Sequence, residues 1–180
     1  MDAALRLTAL TMFGSLLAGC SVLSPQPAWE LLKAAGSAAT MAASSVGAKA
    51  SNTVYHFHAP VSEVCIEFNP DAPVGDILPA LQIELKTHRV DSRVYAPGSG
   101  AAACSHWLRY VAYADWDAPP FESDKRLYMR NAALTLQRAD GRVLSHSEYD
   151  AGAGVLSGKW APTRQKLAPV VTALITGFEN

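Results

Sequence analysis

The sequence carries little surplus charge and no apolar stretch long enough to cross a bilayer. Fifteen Lys and Arg stand against sixteen Asp and Glu in 180 residues, a formal net charge of −1. That balance creates no broad field for nucleic acid or an anionic surface, so no nucleic-acid partner is expected. The apolar-to-small run from Leu7 to Leu17 falls short of the ~20 residues a spanning helix needs. Catalytic signatures are missing too. A Ser-x-x-Lys nucleophile would need Ser three residues before a Lys, and those positions hold Glu30, Val46, Ile83, Glu122, Leu156 and Thr163. Gly152-Ala153-Gly154 with Gly158-Lys159 fails as a phosphate loop. Ala153 stands where the first Gly must be, and Trp160 replaces the hydroxyl residue that would hold magnesium. No Ser/His/Asp or Cys/His arrangement carries a signature, and no motif implies a cofactor.

Cysteine is scarce: only Cys20, Cys65 and Cys104. Cys20 closes Leu17-Ala18-Gly19-Cys20 at the end of the N-terminal apolar run, and Ser21 opens a polar segment rich in Pro and Ala. This stretch resembles the lipobox of bacterial lipoprotein signal peptides. The resemblance implies that residues 1–19 are a signal peptide. It further implies that Cys20 is diacylated as the first mature residue, and that Ser21, not being Asp, leaves the protein free for the outer membrane, facing the periplasm. The membrane is then met through the lipid. The alternative is an N-terminal core helix or a short uncleaved anchor. With Cys20 assigned to lipid, Cys65 and Cys104 are an even pair in a compartment that permits disulfides, and they are expected to be bonded. Two buried free thiols are the other reading.

Residues 20–53 hold Pro25, Pro27 and an Ala/Ser-rich run with few large apolar side chains, the composition of a lipidated tether. As a flexible chain its r.m.s. reach is roughly 30 Å. A single domain is expected over 54–180. Val64, Ile66 and Phe68 alternate with Glu63, Cys65 and Glu67, a strand pattern. After the turn residues Asn69-Pro70-Asp71, Asp76 is placed to cap a helix whose face is Ile77, Leu81 and Leu85, with Glu84 and Lys86 off it. Strands follow at 90–95, 106–116, 127–138 and 143–149, the third with Ala132, Leu134 and Leu136 on its core side. Asp140-Gly141 suits a type I′ hairpin. Leu167, Val170, Val171, Leu174, Ile175 and Phe178 mark a closing helix that Gly177 is placed to end, with Pro162 near its start and Pro169 kinking it.

The order β-α-β-β-β-β-α predicts an α/β (α+β) two-layer sandwich: a mostly antiparallel sheet of four to five strands with two helices on one face. That order is similar to the lipopolysaccharide-assembly and transport-auxiliary lipoproteins. Cys65-Ile66-Glu67-Phe68-Asn69, Val94-Tyr95, Trp107-Leu108-Arg109-Tyr110 and Leu167-Ala168-Pro169-Val170-Val171-Thr172-Ala173-Leu174 resemble short proteobacterial envelope lipoproteins, some labelled as cell-division proteins. The missing Ser-x-x-Lys argues against that label.

Three groups of residues invite chemistry. His56 and His58 sit i, i+2 and could share a metal ion on an extended segment, with His106 and His146 on other strands; solvated histidines are the plainer reading. Asp115, Asp117, Glu122 and Asp124 surround Pro119-Pro120, where loop carboxylates are usually only solvated. On the aromatic strand, one set of alternating residues should face the helices. Trp107, Arg109 and Tyr113 would then lie on the open sheet face as a candidate binding surface, being of the types enriched in binding hot spots. The other reading has both faces covered. The expected function is a non-catalytic binding or assembly module for an envelope protein or glycolipid. The competing expectation is a periplasmic hydrolase or metal-binding enzyme using the histidines or the acidic loop.

Overall fold

A computed structural model of the chain describes residues 47–99, 104–152 and 158–179. The signal-peptide motif, Cys20 and the tether as far as residue 46 lie outside the described residues. The order is β1 (Ser51–Tyr55), β2 (Glu63–Glu67), α1 (Ile77–Thr87), β3 (Asp91–Tyr95), β4 (His106–Asp117), β5 (Arg126–Arg138), β6 (Val143–Asp150) and α2 (Thr163–Thr176). This is an α+β fold with one open mixed sheet in the order β1-β6-β5-β4-β2-β3. The β1/β6, β6/β5 and β5/β4 pairs are antiparallel, whereas β2 runs parallel to both β3 and β4. The sheet therefore has six strands where the pattern suggests four to five. The extra one, β1, starts inside the stretch assigned to the tether. Its five residues, Ser-Asn-Thr-Val-Tyr, hold one large aliphatic side chain, too weak a signal for a strand until β6 is there to pair with it.

Both helices join the sheet in one apolar core. On β5, Ala132, Leu134 and Leu136 are buried as their alternation predicts, and on β4 they meet Leu108, Tyr110 and Ala112. Each fully buried aliphatic side chain contributes roughly 1.5–3 kcal/mol. β2 departs from simple alternation. Val64 and Ile66 face the helices, but Cys65 is buried as well, and Phe68 falls past the strand and is 42% exposed.

In α1, Ile77, Ala80, Leu81 and Leu85 are buried, and Pro79 sits in the first turn, where its missing N–H is tolerated. Asp76 occupies the N-cap position but makes no side-chain cap bond. Its carboxylate accepts from the Thr163 hydroxyl instead, linking the two helix starts (2.8 Å). Glu84, expected off the apolar face, is buried where α1 meets α2, and Arg164 Nε donates to it at 2.6 Å. α2 runs from its N-cap Pro162 with Pro169 inside it, and ends on Gly177 at φ 80°, the left-handed conformation glycine adopts freely. Phe178 lies beyond that end and is exposed, while Lys166, which no apolar pattern singles out, is buried.

The Asp140-Gly141 hairpin forms with a different turn. Gly141 N–H donates to Arg138 O and Arg138 N–H to Arg142 O, both at 2.9 Å, and only Gly141 (φ 84°) has positive φ. A type I′ turn needs positive φ at both central residues, so this is a three-residue loop with glycine at the left-handed position.

Candidate functional site

Strand β4 lies between β5 and β2, so its inward set is fixed by the core and its outward set by default. Leu108, Tyr110 and Ala112 are buried; Arg109, Val111 and Tyr113 are exposed, and Trp107 is half-buried. Trp107, Arg109 and Tyr113 thus share the sheet face away from the helices, with Arg109 ~6.6 Å along the strand from Trp107 and Tyr113 ~13 Å from Arg109, past Val111. Among the described residues no helix or strand packs over them.

Cross-strand register fills in the rest of this face. Trp107 is level with Cys65 of β2, which is level with Arg93 of β3; on the other side come Gln137, Thr135, Ala133 and Asn131 of β5. Trp107 meets the Tyr95 ring edge-on, 5.8 Å between centroids. The Cys65–Cys104 disulfide, Cα atoms 6.0 Å apart, forms beside it and joins β2 to the segment entering β4. This bond is the one the cysteine pairing predicts, and it explains why Cys65 is buried on the outward side of its strand. Arg109 Nε is 2.7 Å from the Glu67 carboxylate, which holds the guanidinium across two strands.

Further along the face, His146 Nε2–H donates to Glu148 at 3.0 Å, and its Nδ1 is hydrogen-bonded with the Thr135 hydroxyl at 2.9 Å. The Asn52 amide also donates to Glu148 (2.7 Å). The Asn52 amide, with His146 next, holds this carboxyl below the usual range. Asn131, level with Tyr113, has a buried Oδ1 with no partner among the described residues. The face therefore combines aromatic rings with planar polar groups fixed by their own network. It offers stacking surfaces and preset hydrogen bonds.

The other candidates do not gather into one site among the described residues. His56 is exposed, past the end of β1, while His58 is half-buried with its ring 4.9 Å from that of Tyr55. The exposed Phe57 separates them. His106 is pushed below its ordinary pKa by burial first, then by His58 and Arg138. Among the described residues no three His, Cys, Asp or Glu side chains come together as a metal site. Of the loop acids, Asp115 pairs with Arg130 at 3.9 Å, Asp117 with Lys159 and Glu122 with Arg126. Lys159 is thus bound to the β4–β5 hairpin, where its ammonium also lies 4.2 Å from the Tyr128 ring centre. Tyr95, Glu67 and His146, which the sequence offers only as motif residues or as a metal candidate, belong to the face. They come from three different strands, and only the sheet order brings them to β4.

No protein-family model matches the chain, and no curated protein matches it. Among solved structures it is similar to the PelC dodecamer from Paraburkholderia phytofirmans in space group P6. The identity is 14% over 67% of this chain and 96% of that one, with a TM-score of 0.42. A variant of the same dodecamer in space group C2 gives 13% identity, 67% and 98% coverage, and a TM-score of 0.43. No residue role is carried across from either.

Proposed function

We propose that this chain is a lipid-anchored protein of the bacterial envelope, held at the outer membrane through acylated Cys20, and that it acts as a non-catalytic binding or assembly module. Its partner is an envelope protein or glycolipid, met by the open sheet face. One observation carries the reading: Trp107, Arg109 and Tyr113 alternate on β4, and the helices cover only the opposite side of the sheet. Trp, Tyr and Arg supply rigid contact area and fixed hydrogen bonds, and Arg109 is pre-positioned by Glu67. The outward residues add little to the core, so a ligand is the role left for them. The Leu17–Cys20 motif supports the anchor, and the Cys65–Cys104 bond suits an oxidising compartment.

The test uses the full-length chain purified from solubilised envelopes. Trp107→Ala and Tyr113→Ala are expected to release the co-purifying protein or glycolipid while leaving the circular dichroism spectrum unchanged. Retention of the partner by both variants refutes the assignment, as does turnover of a hydrolase substrate panel that His→Ala changes abolish. Cys20→Ala is expected to leave the protein unprocessed or soluble. Unchanged size and membrane association would refute the anchor.

A further inference from the structure

The two edges of the sheet are finished differently. At the β1 edge the register shifts between Ser51 and Val54, Asn52 sits at φ 52°, and Thr53 N–H donates to the Glu179 carboxylate at 2.8 Å. A bulge and a side chain occupying an edge amide both keep another strand from pairing there. The β3 edge has neither. Its five residues pair with β2 in unbroken parallel register and include no proline.

The hydrogen bonds fix which way each β3 residue points. Asp91 N–H donates to Ser62 O at 2.8 Å, and Tyr95 O accepts from Phe68 N–H at 2.9 Å, so residues 91, 93 and 95 face β2. Alternate residues of an extended chain bond in opposite directions. Ser92 and Val94 therefore direct their N–H and C=O groups outward, where no backbone partner meets them among the described residues. The charges that would guard such an edge are already paired, Asp91 with Lys86 and Arg93 with Glu63.

Beside the edge, on the helix side, runs a groove of about 600 Å³ between α1 and β3, lined by Gln82, Ile83, Lys86 and Thr87 and by Val90, Asp91 and Ser92. Ile83 in the groove wall is 46% exposed, and Val94 on the edge strand is 40% exposed. We propose that the β3 edge and the α1 groove receive an extended polypeptide segment of a partner protein, which adds to the sheet as a seventh strand. The occupant follows from the chemistry. Alternating donors and acceptors at the repeat of an extended chain are complemented by another backbone, and by neither a lipid nor a glycan. The incoming strand bonds to Ser92 and Val94 and lays an apolar side chain over Ile83 and Val94. Its neighbour two residues along meets the Lys86–Asp91 pair and is polar. This surface is separate from the open face.

The experiment selects random twelve-residue peptides displayed on phage against the full-length chain in detergent. Enriched peptides are expected to hold an apolar residue in an alternating stretch, and the selected peptide, made synthetically, is expected to slow amide exchange at Ser92 and Val94. Val94→Pro removes one outward N–H without touching the β2 ladder and is expected to weaken binding at least tenfold. Ile83→Lys, at an exposed position of α1, is expected to do the same without any backbone change, which covers a folding failure of the proline variant. Tyr113→Ala, on the open face and away from β3, is expected to leave peptide affinity unchanged, so failure here and failure of the open-face reading are separable. The proposal is overturned if no peptide is enriched, or if binding survives Ile83→Lys and a folded Val94→Pro, or if Tyr113→Ala abolishes it. A Ser92→Cys variant that cross-links to itself in the absence of peptide would assign the edge to a second copy and overturn it as well.

Discussion

Replacing Lys166 by Met is expected to stabilise the protein at neutral pH and to remove a rise in stability between pH 7 and 10. Lys166 is 2% exposed on the inner face of α2. Its ammonium donates to Met129 O at 3.2 Å and lies 5.8 Å from the centres of the Tyr128 and Tyr149 rings. Burial lowers its pKa to about 8, with Asp76 opposing and Lys159 adding to the shift. In the unfolded chain a lysine titrates near ~10.4. Between these values the unfolded chain keeps a proton that the folded protein has released, so stability rises with pH. Below the folded pKa the buried charge costs roughly 3 kcal/mol. Raising the pH from 7 to 10 recovers about 2.5 kcal/mol of it. Met fills similar volume without the charge. Allowing about 1–2 kcal/mol for the lost bond to Met129 O, Lys166→Met should gain about 1–2 kcal/mol at pH 7. Above pH 10 the direction reverses in both proteins. Burial first, then Asp150 and Tyr128, holds the Tyr149 phenol above its ordinary value. The unfolded chain then loses a proton that the folded protein keeps, and stability falls. The measurement is urea unfolding of both proteins at pH 7, 8.5 and 10 with the disulfide intact. The wild-type-minus-variant difference cancels the titration of other groups. A variant less stable at pH 7, or a difference that does not change with pH, would refute the reasoning.

Two further outcomes test the packing. Arg164→Ala, a change at a half-exposed position, is expected to cost about 2–3 kcal/mol, because it leaves the Glu84 carboxylate buried without its donor. Changing both residues to Leu should cost less than Arg164→Ala alone, as a thermal-unfolding double-mutant cycle would show. Reducing Cys65–Cys104, which closes a span of 39 residues, is expected to remove roughly 3–4 kcal/mol. A denaturation midpoint unchanged by reductant would show that the bond adds nothing to stability.

The parts of this fold that depend on near neighbours are legible in the sequence. The alternation of Ala132, Leu134 and Leu136, the Asp140-Gly141 reversal and the spacing of Leu167, Val170, Val171 and Leu174 each declare an element and its buried side. What depends on distant pairing is not. β1 becomes a strand only through β6, nearly a hundred residues away. Glu84 sits on the buried stripe of its own helix, at i+7 from Ile77 and i+3 from Leu81, and its charge hides this until α2 brings Arg164 to it. Lys166 is buried by the sheet beneath it, and no periodicity marks a charged residue for the core. The candidate site divides in the same way. Trp107, Arg109 and Tyr113 follow from alternation within β4, whereas Tyr95, Glu67 and His146 join them only once the strand order is known. The parallel placement of β2 between β3 and β4 leaves no local trace and is what makes β3 an edge.

The β4–β5 hairpin outruns the rest of the sheet. Pairing with β6 ends at Asn131, the register slips between Tyr113 and Ala114, and Ala114–Asp117 continue against Arg126–Met129 with no third strand beside them among the described residues. A two-stranded ribbon is marginal by itself. This one is held at its base by the buried Met129, beside it where Tyr128 meets Trp160 at 5.3 Å, and at its far end where Lys159 joins Asp117. Mechanically the ribbon is a short arm that starts at the slip and is held at three points. Four residues of ribbon give an arm of about 13 Å, so a tilt of ten degrees at the slip carries the exposed Trp116 and Phe121 end sideways by about 2 Å. Loosening the arm takes changes at both Trp160 and Lys159, and Met129 still ties its base to the core.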